Sequence, residues 1–180
     1  GCLAYIENPA ITSEELFAII PGPDFPTAPI ILGSSGARQA YLTGRGSIVM
    51  RGKVTIDTIR KDRDALIVTE IPFQVNKATM VERIAELVRE KKIEGISDLR
   101  DESDRDGFRV VVELKRDAVP DVVLNQLYRF TPLQTNFPAN MVALDGGRPL
   151  VMNLKDVLTL FLAFREEVIS RRTKYLLGKA

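Results

Sequence analysis

The feature that most constrains the fold is a stretch of alternating apolar and polar residues from Ser47 to Asp57. Apolar side chains stand at every second position, interrupted once by Gly52, and the other positions are mostly polar or basic. This period of two is typical of a half-buried β-strand. A polar turn, RKDRD, and a second strand-like segment, ALIVTEI, follow directly. The sequence therefore predicts an antiparallel hairpin with a basic tip.

Two later segments have helical periodicity. After Asn76, the segment KATMVERIAELVREKK repeats its apolar residues at intervals of three and four. Asn153 begins the longest helix, in which Leu154, Phe161, Val168 and Tyr175 recur at seven-residue spacing. The seam is imperfect because Arg171 or Arg172 occupies a companion position, so we expect this helix to leave the domain and pair elsewhere. The predicted fold class is α+β: a two-layer α/β sandwich with an antiparallel sheet, plus a long C-terminal helix that begins a coiled-coil arm.

Prolines divide the chain near its start. Four of them, in PGPDFPTAP, exclude helix and predict a stiff extended linker. We predict three parts: a helical lead-in and Pro-rich linker (residues 1–29), an α/β domain (30–152) and the start of a long helical arm (153–180). The chain opens without Met and ends within a helical pattern. It is therefore expected to be part of a longer protein.

Composition argues against several classes of enzyme. The chain has no histidine and one cysteine, Cys2, which disfavours catalytic triads, zinc sites and a disulfide framework. GSSGAR lacks the Lys and Ser/Thr of a phosphate loop, and DLRDESDRDG lacks the spacing of a calcium loop. We expect no cofactor or metal in this chain, and the acids of DLRDESDRDG should pair with neighbouring arginines. The longest apolar run is too short to span a membrane, so a soluble cytoplasmic protein is expected.

Basic residues are concentrated in one segment. Residues 1–37 contain four acids and no Lys or Arg, whereas residues 38–63 contain seven basic residues and two acids. This segment includes a Gly-Arg-Gly turn followed by the basic strand. One interpretation is a surface that follows the phosphates of nucleic acid without reading bases; the other is a solvated hairpin with ordinary surface arginines. The candidate contacts are Arg38, Gly44, Arg45, Gly46, Arg51, Lys53 and Arg60.

Three long strings of the sequence resemble one protein family. They are GPDFPTAPIILGSSGARQAYLTGRGSIVMRGK, EIPFQVNKATMVERIAELVREKKIEGISDLRDESDRDGFRVVVELKRDA and NMVALDGGRPLVMNLKDVLTLFLAFREEVISRRTKY. They are similar to the A subunit of bacterial DNA gyrase, a type IIA topoisomerase. The corresponding subunit of topoisomerase IV is the near relative, and EIPFQVNKA and IEGISDLRDESDRDG favour gyrase.

The resemblance implies a tower domain that supports the outer parts of the cleaved duplex, followed by the start of the helical arm. The implied partners are double-stranded DNA, the B subunit of gyrase and a second copy of the A subunit, with Mg²⁺ and ATP used through the B subunit. The family's nucleophilic tyrosine lies in an Arg-Tyr-Thr context that none of the four tyrosines here matches. The chain is therefore expected to be inactive alone. The alternative is a mainly mechanical, protein-contacting scaffold with little DNA affinity.

Overall fold

The fold is described from a computed structural model, which covers residues 1–60, 63–105 and 107–179, with the backbone alone at Arg60. The helices are α1 (Cys2–Glu7), α2 (Ser13–Ile19), α3 (Ser35–Thr43), α4 (Lys77–Arg89), α5 (Pro120–Phe130) and α6 (Leu154–Leu177). The strands are β1 (Ile30–Leu32), β2 (Arg45–Arg51), β3 (Lys53–Arg60), β4 (Arg63–Glu70), β5 (Ile96–Asp101), β6 (Val110–Leu114), β7 (Gln134–Asn140), β8 (Val142–Asp145) and β9 (Arg148–Val151). An α+β fold with antiparallel strands and a long C-terminal helix is confirmed.

The chain divides into two compact units. The first contains Gly1–Pro23, Gly33–Ile48 and Pro138–Ala180, and the second contains Asp24–Leu32 and Val49–Phe137. Both units are therefore assembled from separated segments of sequence. The three-part division predicted from the prolines remains a prediction.

The second unit is built on a four-stranded antiparallel sheet in the order β3-β4-β6-β5. Alternate residues of β4 and β6, such as Leu66 and its partner Val112, face helices α4 and α5. They pack there with Ile84 of α4 and Leu127 of α5 in a fully buried core. Burial of such side chains stabilises the fold by about 1.5–3 kcal/mol each. The helices thus cover one face of this sheet, as a two-layer arrangement requires.

Local signals set where the helices of this unit begin. The side chain of Asn76 accepts a hydrogen bond from the backbone N–H of Thr79 at 3.1 Å, which caps α4 as predicted. Pro120 occupies the first turn of α5, where its missing N–H costs nothing. Both helix starts therefore agree with the sequence.

The predicted continuous strand from Ser47 to Asp57 is wrong, because the chain changes sheets at Gly52. Strand β2 lies in the three-stranded sheet β1-β2-β7, whereas β3 lies in the four-stranded sheet. The N–H of Gly52 donates to the carbonyl of Leu133 at 2.8 Å. A Cβ at Gly52 would stand 2.6 Å from the carbonyl oxygen of Glu70 and from Cδ1 of Leu133. Close packing at this glycine separates one alternating pattern into two strands. The predicted antiparallel pairing of β3 with β4 is confirmed.

In the first unit, short helices surround the start of α6. Leu16 of α2 and Ala40 and Tyr41 of α3 are buried there, and the ring of Tyr41 meets Phe17 edge-on at 6.0 Å. Strands β8 and β9 form a hairpin whose turn residues Gly146 and Gly147 have φ of 53° and 82°.

Helix α6 begins with the predicted cap. Asn153 accepts from the N–H of Asp156 at 2.9 Å, and the Asp156 carboxylate accepts from the N–H of Asn153 at 3.3 Å. Along the part of α6 that the structure describes, no side chain is buried, and Phe164 and Tyr175 remain 60% and 62% exposed. The apolar seam is therefore open, as expected of a helix that leaves its domain. None of the helices in the described ranges is long and apolar enough to cross a membrane.

Candidate nucleic-acid interface

Gly44 ends helix α3 and turns the chain into β2. Its φ of 77° is the left-handed conformation that glycine adopts without strain. Its N–H donates to the carbonyl of Ala40 at 2.8 Å, and its carbonyl accepts from the N–H of Met141 at 2.8 Å. Gly44 is buried. Its backbone groups are therefore engaged within the chain.

Gly46 lies where β2 crosses the start of α3. A Cβ at this position would stand 2.4 Å from the carbonyl oxygen of Gly36 and 2.8 Å from the backbone nitrogen of Ala40. Both neighbours are backbone atoms that cannot rotate away. Packing inside the chain is thus sufficient to require glycine at Gly44 and Gly46, without a phosphate close by.

Arg45 is the exposed cation of this turn. Its backbone is fixed by Thr43, whose hydroxyl donates to the carbonyl of Arg45 at 2.8 Å. Its side chain is exposed and forms no ion pair with any residue in the described ranges. The turn therefore presents a free guanidinium to solvent.

Arg38, on α3, is already paired. Its guanidinium donates two hydrogen bonds to the Glu14 carboxylate, with Nε 3.2 Å from Oε1 and Nη2 bonded to Oε2, and it lies over the ring of Phe17 at 5.5 Å. The hydrogen bonds from Arg38 to Glu14 raise the pKa of Arg38. A phosphate at this position would have to compete with Glu14.

Arg51, at the end of β2, is half-buried and held from two sides. Its guanidinium lies 4.4 Å from the centre of the Tyr128 ring, and its Nε donates to Oε1 of Gln134. The hydroxyl of Tyr128 in turn donates to the carbonyl of Gly52 at 3.4 Å, and burial raises the pKa of Tyr128.

Arg51 also lines an open polar cavity of about 560 Å³. The other lining residues include Asn125, Arg129 and Asn136. Sequence reasoning missed these residues. No spacing rule relates Arg51 to α5 or β7.

Lys53 and Arg60 lie on β3. Lys53 is 54% exposed and its ammonium is 3.6 Å from a carboxylate oxygen of Glu70, a loose surface pair. The side chain of Arg60 lies outside the described residues. Arg38 and the glycine turn belong to the first unit, and Arg51 and Lys53 belong to the second. Their role in binding DNA stays a prediction.

The acidic segment that begins within β5 forms ion pairs in its described part, as predicted. Arg100 bonds to Asp98 at 2.7 Å, to Glu102 at 3.2 Å and to the buried Glu113 at 3.0 Å. These bonds, that to Glu113 most strongly, raise the pKa of Arg100. Across the described ranges, no group of three or more His, Cys, Asp or Glu side chains is arranged to hold a metal ion.

Comparison with known proteins assigns the chain to a family. The family model for the A subunit of DNA gyrase/topoisomerase IV matches residues 1–180. The chain belongs to this family. The DNA gyrase A subunit of Synechocystis sp. is 61% identical over the whole chain, and that of Granulibacter bethesdensis is 61% identical over 99% of it. The Salmonella typhimurium protein is 56% identical over the whole chain.

The chain spans about a fifth of the length of these gyrase relatives, between 19% and 21% for the three. The match confirms the resemblance found in the sequence. It assigns the chain to the gyrase family without assigning a role to any of the residues above.

Proposed function

We propose that this chain is the tower domain and the start of the helical arm of a cytoplasmic DNA gyrase, within its A subunit, and that it supports duplex DNA through contacts to the phosphate backbone. The contacts would not depend on base sequence and would hold the outer parts of the duplex during ATP-dependent supercoiling. The guanidinium of Arg45, which is exposed and has no ion-pair partner among the residues that the structure describes, carries this proposal. Arginine at such a site binds phosphate oxygens with charge-assisted hydrogen bonds.

The complete enzyme would supply the chemistry. Under this proposal the B subunit holds Mg²⁺ and ATP, a second copy of the A subunit completes the assembly, and the tyrosine nucleophile belongs to a part of the A subunit outside this chain. The residues here would position DNA and cleave nothing. The similarity to DNA gyrase relatives supports gyrase over the equivalent domain of topoisomerase IV.

The test is the salt dependence of DNA binding by the complete A subunit carrying Arg45→Ala and Arg51→Ala together. Each phosphate contact contributes about 0.9 to the slope of log K against log salt, so we expect the slope to decrease by about 1.8. The control is Arg89→Ala with Arg116→Ala, which removes two exposed arginines of the second unit. A slope equal to that of the control double variant would overturn the assignment.

A second candidate is a mechanical scaffold that contacts other protein segments and has little DNA affinity of its own. The internal engagement of Arg38 and Arg51 and the open apolar seam of α6 favour it. Retention of the 180-residue chain on immobilised duplex DNA at low salt distinguishes the two. Retention supports the DNA-binding role, and passage through the column supports the scaffold.

A further inference from the structure

The cavity beside Arg51 is lined by positively charged side chains. Among the described residues, two arginines, Arg51 and Arg129, line it together with amide and hydroxyl side chains, and no acid does. Burial of part of a guanidinium, as at Arg51, is costly unless its charge is paired, for example with a carboxylate. In the part of the chain that the structure describes, neither Arg51 nor Arg129 has one within ion-pairing distance. Among the described residues, the positive charge at this cavity is therefore not neutralised by a carboxylate.

The side chain of Arg51 is held in place at the edge of the cavity. Stacking on Tyr128 and the bond from Nε to Gln134 together restrict the guanidinium plane, and they leave its two Nη groups without a described partner. A side chain that is fixed before binding loses less entropy when a ligand arrives. Arg51 is thus suited to donate from Nη into the cavity.

The other hydrogen-bond donors at the cavity lie on two elements, helix α5 and strand β7. Asn125 and Arg129 are four residues apart on α5, so they lie on one face of that helix. Gln134 and Asn136 are two apart on β7, so they lie on one face of that strand. Arg129 and both asparagines are exposed enough to be reached from solvent. Guanidinium and amide donors on two elements therefore surround one open space.

We propose that this cavity binds one phosphate group, with Arg51 and Arg129 donating to its oxygens and Asn125 and Asn136 completing the site. The tetrahedral oxygens of a phosphate can accept from donors in several directions, whereas a planar carboxylate pairs best with one guanidinium. Where the phosphate is a phosphodiester of duplex DNA, the inference rests on the proposed function and adds Arg129 as a contact. Free phosphate is the other source of the same chemistry.

The first experiment measures binding of a fluorescent duplex to the 180-residue chain over a salt series. Arg129→Gln is compared with Arg89→Gln, because both arginines are exposed and lie in the last turn of a helix. We expect the slope of log K against log salt to fall by about 0.9 for Arg129→Gln relative to Arg89→Gln. Asn136→Asp places a carboxylate at the cavity and is expected to weaken DNA binding further. Circular dichroism verifies that each variant is folded.

The second experiment measures the melting temperature in inorganic phosphate and in chloride at equal ionic strength. If free phosphate is the ligand, phosphate raises the melting temperature of Arg89→Gln but not of Arg129→Gln. If the ligand is a DNA phosphodiester, only the duplex experiment separates the two variants. The inference is overturned if neither experiment separates them. A reduced slope for Arg45→Ala, with Arg129→Gln equal to Arg89→Gln in both experiments, overturns this inference alone and leaves the proposed function standing.

Discussion

Replacement of Gly46 by alanine separates a packing role from a DNA role for the glycine turn. The added Cβ would stand 2.4 Å from the carbonyl oxygen of Gly36, 2.8 Å from the backbone nitrogen of Ala40 and 3.0 Å from the Cβ of Ala40. Two of these neighbours are backbone atoms of α3. Relief of the contact therefore requires β2 and α3 to move apart.

We expect Gly46→Ala to lower the free energy of unfolding by about 1–3 kcal/mol, the usual cost of overpacking a tight contact. For a protein of this size, each kcal/mol lowers the melting temperature by about 2–4 °C, which gives about 2–12 °C. Differential scanning calorimetry on the 180-residue chain measures this shift directly. DNA binding by the fraction that remains folded should change little, because the added methyl group faces α3.

Gly107→Ala is the matched control. It is the same substitution at an exposed glycine whose Cβ would meet none of the described atoms within 4 Å and whose φ lies outside the range from +20° to +160°. The free energy of unfolding of this variant should lie within about 0.5 kcal/mol of that of the parent chain. If Gly46→Ala had the same melting temperature as Gly107→Ala but bound DNA more weakly, the packing explanation would be refuted. A close approach of phosphate would then explain why glycine occupies position 46.

Two further predictions concern stability. In the folded chain, hydrogen bonds from Lys77, and then from Ser103, lower the pKa of Asp101 from 3.8 to about 2. The ionised Asp101 therefore stabilises the fold above about pH 4, and this contribution is lost as the pH falls toward 2. Thermal melts over this range should show Asp101→Asn less stable than the parent at neutral pH and equal to it near pH 2; a difference that is constant with pH would contradict this. Asn153→Ala removes the cap of α6 and should cost about 0.5–2 kcal/mol in urea unfolding, whereas Ser34→Ala should cost nothing, because the side chain of Ser34 makes no capping bond.

Sequence periodicity predicted the elements well where local chemistry determines them. Asn76 and Asn153 each cap the helix that they were expected to begin, and Gly44 ends α3 in the left-handed conformation. These signals act over three or four residues. The sheet that a strand joins is not determined by such local signals. Strand β2 pairs with β1 and strand β3 with β4, although β2 and β3 share one alternating pattern. The break depends on Leu133, which lies far along the chain from Gly52.

The candidate site was predictable only in part, for the same reason. The sequence identified Arg51 as a basic strand residue, but its contacts with Tyr128 and Gln134 join segments about eighty residues apart. Arg129 gave no signal of its own, since a basic residue in the last turn of a helix is common. Only the tertiary structure places it at the same cavity as Arg51.

The pairing of charges in space changes how the basic segment from Arg38 to Arg63 should act on DNA. Its first member, Arg38, pairs with Glu14, from the acid-only part of the sequence, so part of the asymmetry along the chain is cancelled in the fold. Lys53 pairs loosely with Glu70, whereas Arg45 has no such partner in the described ranges. A phosphate that approached Arg38 would have to displace a carboxylate before any counterion was released. We therefore expect the slope of log K against log salt to be well below the value obtained by counting every basic residue of the segment as a phosphate contact. Arg45 should contribute more to this slope than Arg38.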